Sequence, residues 1–551
     1  MALNVGGPVW AMDWLPSKPA PNAAAVAAAI AKSNEKKPRR ASAASKKAQK
    51  AALNGKENNQ WRFLALATHP PCQVAEGKVV KNTPPDHYYD IPESARNMLQ
   101  IWAIPPRLVY AIDHESGVAW DLQWCPLVKK FPTTNRRENI LGILAACFGD
   151  GSMRVFKIPA IPEERLQVNI GKEQCLVEKN IPIVVAKLSR IMQLSVHWSP
   201  HTWNLLLTGG SDGSVSLWNI MSAVSGSDSL TGERNEPEPI EPQRRFQDAD
   251  TIGKQEAFDW GCGWVAIRAV AWSPFDEHLF ATTGNDSVFK VWDVREPRVC
   301  LRSHRIRSTW GLALQWMDQT SIQISGDQGS VYMYDILSGS YQKLHFHPQI
   351  DSPVWDLQFA RRGAVPLLIS SCTSGSIRAA PAKKMYRAPQ NCVEICRLSG
   401  EKDASIDKPF KSLRVSFDKH SVLGSADTVS QSTREFCERD AALHRLRLSS
   451  ITPGDYPCFL AAGGHAGLVI LLEMQEMLDT LIPTFFMPPS KKTGRPKKIF
   501  ATVGRKARTL GSFAKAKGMH TALSKYKKKT LGNGKKKANP RANAKKNRTC
   551  R

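Results

Sequence analysis

The stretch 191–220, IMQLSVHWSPHTWNLLLTGGSDGSVSLWNI, decides how the rest of the chain is read. It opens with an alternating strand that ends at Trp198, and Ser199-Pro200 then makes a turn. A second strand from Asn204 to Thr208 runs into a glycine-rich corner. Asp212-Gly213 predicts a tight hairpin in which both central residues take positive φ, and a third strand runs from Ser214 to Ile220. One such unit is only an antiparallel meander. Its weight comes from repetition.

The same pattern returns along the chain. GVAWDLQWCP (117–126) and ILAACFGDGSMRVFKI (143–158) form a unit with Asp150-Gly151 at the corner. IRAVAWSPFDEHLFATTGNDSVFKVWDV (267–294) turns at Asn285-Asp286 and ends in Trp292-Asp293. Further units span 310–336 and 353–380, and a degenerate one is split between 442–449 and 458–474. The first unit, VWAMDWLP (9–16), continues in FLALATHP (63–70) and MLQIWAI (98–104). The strand-ending aromatics Trp198, Trp272, Trp316 and Phe359 fall 74, 44 and 43 residues apart. The shorter spacings match the ~40–45-residue period of propeller blades, and the longer one fits a blade plus an insertion. A lone four-stranded blade leaves both faces bare, whereas a closed ring of blades covers them and leaves only short edges. The expectation is an all-β fold, a seven-bladed propeller, with the tryptophans packed between blades and the corner Asp and Gly residues structural. Closure could use a strand from the N-terminus or from 477–489, and the sequence leaves both open.

The domain reading follows: 1–16 begins blade 1, 17–60 is a disordered basic insertion, and 61–487 completes the propeller with insertions at 159–189, 221–264 and 383–440. Residues 488–551 form a disordered basic tail. The net charge of +27 is segregated, because 488–551 holds 22 basic residues and no acidic one, and 17–60 holds 10 against 2. The body is near neutral. Two basic appendages of this kind point to a polyanion as partner. Twelve scattered cysteines without paired C-x2-C spacing read as reduced, mostly buried thiols of an intracellular protein. No apolar run reaches the ~18 residues of a membrane span, and no signal peptide opens the chain.

The repeats resemble the WD40 family, with Trp292-Asp293 as the one full WD ending and few of the Gly-His openings that many members carry. AWDLQWCP followed by LAACFGDGSMRVFKIP is further similar to the WD-repeat (beta-type) subunits of TFIIIC, the assembly factor for RNA polymerase III, in a plant-type form that adds an AT-hook. The resemblance covers roughly 1–474. It implies a nuclear, non-enzymatic scaffold whose partners are other TFIIIC subunits and the polymerase III machinery. A chromatin-associated WD40 adaptor and a ribosome-biogenesis protein with an RNA-binding tail are the competing readings.

SKKTGRPKKIF (490–500) carries the sharpest motif. Gly494 lets the backbone lie on the floor of a groove, and Pro496 keeps the peptide extended. Arg495 suits the narrow, strongly negative minor groove of A·T-rich DNA, with Lys491, Lys492, Lys497 and Lys498 on flanking phosphates. Gly494-Arg495-Pro496 resembles an AT-hook core, although Thr493 stands where a second arginine is common. A nuclear-import signal or a solvated tail explains the same residues. The clusters with Lys36, Lys37, Arg39, Arg40, Lys46 and Lys47 resemble a bipartite import signal or are a solvated charge run. No catalytic motif is present, no cofactor or metal site and no small-molecule substrate is expected, and His114, His197 and His304 read as structural. WGCGW (260–264) reads as a turn packing its tryptophans.

Overall fold

The computed structural model describes residues 1–16, 61–69, 74–75, 78–79, 97–132, 139–163, 166, 176–178, 181–188, 191–226, 236–252, 265–306, 309–345, 352–362, 365–382, 393–401, 412–416, 441–449 and 459–474. Two compact units divide the chain, Met1–Phe485 and Phe486–Arg551, and the second lies outside the described residues.

The first unit is a seven-bladed β-propeller. Each blade is an antiparallel meander whose first strand lines the centre, and we letter the strands a to d outward. Blade 3, the stretch quoted above, consists of Gln193–Trp198, Leu205–Gly210, Val215–Asn219 and Arg244–Phe246. Blade 4 is Ile267–Trp272, Leu279–Gly284, Val288–Asp293 and Arg302–Arg305, and blade 5 is Gly311–Trp316, Ser321–Gly326, Ser330–Asp335 and Tyr341–His345. Blade 2 begins with Ala119–Trp124 and ends with Val184–Lys187. Blade 6 runs outward from Val354–Arg362 and adds a fifth strand, Ser412–Ser416. Blade 1 starts at Val9–Trp14 and also has five strands, because Leu176–Glu178 pairs in parallel with Arg107–His114. The stretches 159–189, 221–264 and 383–440, read from sequence as insertions, thus also supply outer strands.

The ring closes through the N-terminus. Blade 7 takes three strands from Leu443–Leu448, Phe459–Gly464 and Leu468–Glu473, and its outer strand is Ala2–Asn4, with Leu3 opposite Val469. The outer position that 477–489 could have filled is therefore occupied by the other end of the chain.

Among the described residues the core is not one cluster but eight, one at each of the seven seams and a small one of Trp120, Leu194 and Ala266 across the inner strands of blades 2, 3 and 4. Between blades 3 and 4, Leu207, Val215 and Phe246 meet Ile267, Trp272, Phe280 and Trp292. Between blades 2 and 3, Ile143 and Val155 meet Trp198, Leu206 and Trp218. The closing seam packs Val9, Met12 and Trp14 on Ala461, Val469 and Leu471. Period-2 alternation explains this, since both faces of the inner and middle strands are covered by neighbouring blades and small residues are needed where sheets approach. The indoles are also hydrogen-bonded. Trp198 Nε1 donates to Trp203 O at 2.7 Å and Trp272 Nε1 to Glu277 O at 2.9 Å, tying inner strands to their a–b turns. Trp218 and Trp292 donate to Thr208 and Thr282 Oγ1 of the adjacent strand at 2.7 and 3.1 Å.

The hairpin corners differ from expectation in one respect. Gly151 and Gly213 have φ of 85° and 80°, but the preceding aspartates do not adopt positive φ. Asp212 Oδ1 instead accepts the Ser214 N–H at 3.0 Å and its hydroxyl at 2.7 Å, and Asp150 holds Ser152 in the same way. The side-chain bond makes the turn, so only the glycine must be left-handed. At the blade 4 corner Ser287 takes that conformation, with φ of 59°. A Cβ on Gly213 would lie 2.8 Å from both Thr251 Cγ2 and Val265 O, while one on Gly339, also left-handed, would meet nothing within 4 Å. In thermal or denaturant unfolding of the full chain, Gly339→Ala should cost about 1 kcal/mol and Gly213→Ala about twice that. Equal losses would mean that the blade 3 corner relaxes freely.

Antiparallel meanders in a ring put every a–b and c–d connection at one end and every b–c and d–a connection at the other. The basic stretch 17–60 joins Trp14 to Arg62 between strands a and b of blade 1. The chain leaves blade 7 after Glu473, the end of strand c. Strand a of blade 1 and strand c of blade 7 therefore both end at the a–b end of the propeller.

Candidate interaction sites around the central channel

The seven inner strands carry polar side chains toward the axis, and these join one blade to the next. Trp-Asp-Leu-Gln occurs at 120–123 in blade 2 and again at 355–358 in blade 6. In each copy the Asp and Gln accept backbone N–H groups of the following inner strand. Asp121 Oδ2 accepts from Val196 at 3.1 Å, and Gln123 Oε1 accepts from Trp198. Asp356 Oδ2 accepts from Leu446 at 3.0 Å and Gln358 Oε1 from Leu448 at 3.5 Å. Asp13 of blade 1 stands in register with Gln123 and accepts from Trp124 N at 3.0 Å. His197 Nδ1 of blade 3 instead donates to Trp198 O at 3.0 Å and lies 3.4 Å from Trp272 N. These bonds satisfy inner-strand donors that no fifth strand can reach.

Blade 7 brings two arginines into the same ring. Arg447 pairs with Asp356 and lies 4.0 Å from Asp121. Arg445 reaches across blade 1, donating from Nε to Trp10 O at 2.6 Å and from Nη2 to Trp120 O at 2.8 Å, with Asp121 Oδ1 at 3.4 Å. Ala11 holds the blade 1 position that Asp121 holds in blade 2. The result is a cluster of Asp13, Asp121 and Asp356 against Arg445 and Arg447. Burial pushes the Asp13 carboxyl up to about 7, against the pull of Arg447 and the Trp124 N–H. Burial opposes the Arg447 charge, but Asp356, Asp121 and Asp13 outweigh it and hold the guanidinium above its ordinary value. The channel beside the cluster is a cavity of about 290 Å³, lined also by Arg268, Gln315 and His197.

At the d–a end an aromatic cluster sits over the channel. Trp10 stacks on His444 with centroids 4.0 Å apart and meets Trp120 and Trp355 edge-on at 5.9 and 6.1 Å. These four residues hold the second position of the inner strands of blades 1, 7, 2 and 6. The arrangement is one of packing and charge pairing. Among the described residues no cluster of His, Cys, Asp and Glu could hold a metal ion.

The candidates named from sequence are distributed otherwise. Lys491, Lys492, Gly494, Arg495, Pro496, Lys497 and Lys498 lie outside the described residues, as do Lys36, Lys37, Arg39, Arg40, Lys46, Lys47 and the WGCGW turn. His114 is buried against Phe148 at 4.7 Å, and burial lowers it to about 3. His197 is lowered to about 4 by burial and sits in the channel lining. His304 lies against Tyr341 at 4.2 Å, lowered by burial. All three are neutral side chains packed in the fold. Cys125, Cys147, Cys372 and Cys396 are buried free thiols, and burial pushes Cys125 and Cys396 up to about 12. The Asp–Arg cluster was missed by sequence reasoning, and the doubled Trp-Asp-Leu-Gln was the signal that could have found it.

Fold and channel together define the class: a seven-bladed β-propeller, consistent with WD40 repeats. No family profile matches the chain. Its curated relatives are transcription factor subunits. The chain is 23% identical over 340 residues to General transcription factor 3C polypeptide 2 of Pongo abelii and of Homo sapiens, an alignment covering 57% of this chain and 30% of each relative. It is 24% identical over 275 residues to Transcription factor tau subunit sfc6 of Schizosaccharomyces pombe, covering 46% of this chain and 40% of that protein. The chain thus spans less than half the length of the relatives it matches.

Proposed function

We propose that the chain is a non-enzymatic scaffold subunit of a TFIIIC-type transcription factor, working in the nucleus and supporting initiation by RNA polymerase III. The observation that carries this is the similarity over 340 residues to proteins named as general transcription factor 3C polypeptide 2. The propeller supports it physically, since a rigid closed ring presents many loops without spending stability on a catalytic cleft. On this reading the propeller docks on other subunits of the complex, and the basic tail holds DNA. A tether that leaves the propeller raises the local concentration of DNA without any new contact on the ring.

Affinity purification of the tagged full chain from nuclear extract, after nuclease treatment and followed by mass spectrometry, tests the proposal. The expected result is recovery of the other TFIIIC subunits without a nucleic acid bridge. Recovery of histones or pre-ribosomal proteins in their place would sink it.

For the tail, Gly494, Arg495 and Pro496 enter the minor groove of A·T-rich DNA, with Lys491, Lys492, Lys497 and Lys498 on the phosphates. Arg495→Ala should weaken binding to an A·T-tract duplex several-fold and abolish the preference over a G·C duplex. Replacing Lys497 should weaken both duplexes alike and reduce the log–log salt slope by about 0.9. Fluorescence anisotropy at several salt concentrations measures both. An Arg495→Ala loss equal on the two duplexes would reduce the motif to one more phosphate contact.

A further inference from the structure

The acceptors that tie one inner strand to the next are missing along one arc of the channel. In blades 3, 4 and 5 the residue after strand a, Ser199, Ser273 or Met317, donates its N–H to strand b at 2.9, 2.8 and 2.9 Å. Alternation along an antiparallel strand then turns the N–H groups of Val196 and Trp198, of Val270, and of Leu314 and Trp316 away from strand b and toward the channel. Blade 2 meets the first two with Asp121 and Gln123. Blades 3 and 4 offer shorter side chains. Ser195 and Ala269 stand in register with Asp121, and Ala271 stands in register with Gln123. Val270, Leu314 and Trp316 are buried, yet their N–H groups reach no side-chain acceptor among the described residues. Ser195 is only 2% exposed, and its hydroxyl also has no partner there. The arc ends at blade 6, where Asp356 Oδ1 takes the Leu357 N–H at 2.9 Å.

The channel cavity of about 290 Å³ lies against this arc, since Ser195, Ala269, Val270, Ala271, Leu314 and Trp316 all line it. Pro200 and Pro274, in the a–b connections of blades 3 and 4, line it as well, so it reaches that end of the ring. The charged side chains on its wall balance, with Asp13, Asp121 and Asp356 against Arg268, Arg445 and Arg447. Of these only Arg268 belongs to blades 3 to 5, and its Nε donates to Asn285 Oδ1 at 3.0 Å. Buried N–H groups need an acceptor. Several of them beside a guanidinium, on a concave wall without a carboxylate of its own, make a surface suited to an oxyanion. A cation would meet only donors.

We propose that the channel wall of blades 4 and 5 binds a carboxylate, which takes the place that Asp121 and Asp356 fill at other seams. It accepts the Leu314 N–H that Ala269 cannot, on the wall shared with Arg268, and the Val270 and Trp316 N–H groups and the Ser195 hydroxyl flank it. Two sources share this chemistry: a free small carboxylate anion, and an Asp or Glu side chain of a protein seated on the a–b end. The site does not depend on the scaffold reading.

The test uses the full chain, isotope-labelled at valine, leucine and tryptophan, with acetate as probe. In amide-resolved NMR, sodium acetate should move the Leu314 amide proton downfield and saturate, with smaller shifts at Val270 and Trp316. Sodium chloride at equal ionic strength should leave them in place, and acetamide, of the same shape without the charge, should bind at least tenfold more weakly. Ala269→Asp supplies the carboxylate from within, as Asp121 does in blade 2, and should abolish the response to acetate without lowering the melting temperature. Ala269→Asn puts an uncharged acceptor in the same place and should weaken acetate at least tenfold, which keeps the test usable if the aspartate upsets the ring. A protein recovered from nuclear extract by the unmodified chain, and lost both in saturating acetate and with Ala269→Asp, identifies a partner's side chain as the source. Recovery unchanged by either identifies the free anion. The absence of a saturable acetate shift, or an equal response to acetamide, overturns the proposal.

Discussion

Replacing Arg447 by methionine should lower the unfolding free energy of the propeller by about 3 kcal/mol. The arginine stem would be replaced by a side chain of similar length, so the loss comes from charge. Without the guanidinium, Asp356 and Asp121 face each other across the channel with one counter-charge fewer, while their backbone contacts still hold them in place. The double variant Arg447→Met/Asp356→Asn should recover more than 1 kcal/mol of that loss, because the asparagine keeps an acceptor for the Leu446 N–H and drops the stranded charge. Denaturant unfolding followed by tryptophan fluorescence measures both. Additive losses would mean that the two side chains stabilise the ring independently and that the cluster is not a unit.

The second large effect is in pH dependence. Asp13 has its carboxyl at about 7 in the fold against an ordinary value of 3.8. Above pH 4 the unfolded chain gives up this proton and the folded chain keeps it until about pH 7, so this group makes the fold progressively less stable across that window. The full swing is on the order of 4 kcal/mol. His114 and His197 act in the opposite sense. Lowered to about 3 and about 4, they stay neutral in the fold while the unfolded chain protonates below about 6.5, so their stability is lost as pH falls. The unmodified protein should therefore show a shallow profile from pH 5 to 8, the two trends offsetting. Asp13→Asn keeps the acceptor for Trp124 N and removes the titration. Its stability should rise clearly from pH 5 to 8 and exceed that of the unmodified chain at pH 8. A parallel profile in the two proteins would show that Asp13 is already ionised in the fold.

Much of this architecture could be read from the residues, and the parts that could not share a cause. Inner and middle strands announce themselves because both faces are buried and the strand-ending tryptophans recur. Outer strands do not: Arg302–Arg305 is almost wholly exposed, and Arg244–Phe246 buries only Phe246. Ala2–Asn4 is three residues of no particular pattern whose partner lies far along the chain, at Leu468–Glu473. No local signal can reveal a pairing of that range. The channel cluster hid for a different reason, since Asp121, Gln123, Asp356 and Arg447 occupy positions that alternation assigns to solvent. Only their mutual placement by closure of the ring makes them interior.

Blade 7 has a further consequence, in time rather than in space. A ribosome delivers Leu468–Glu473 some 460 residues after Ala2–Asn4, so this outer strand is made long before its partner exists. Until then Val9, Met12 and Trp14 have no second blade to cover them, and blades 2 to 6 can assemble only as an open arc. The Arg445 and Arg447 side chains arrive with the closing blade, so the aspartates of blades 1, 2 and 6 are neutralised in the same event that seals the ring. A nascent chain halted before residue 443 should therefore keep Ala2–Asn4 open to proteases, and synthesis through blade 7 should protect it.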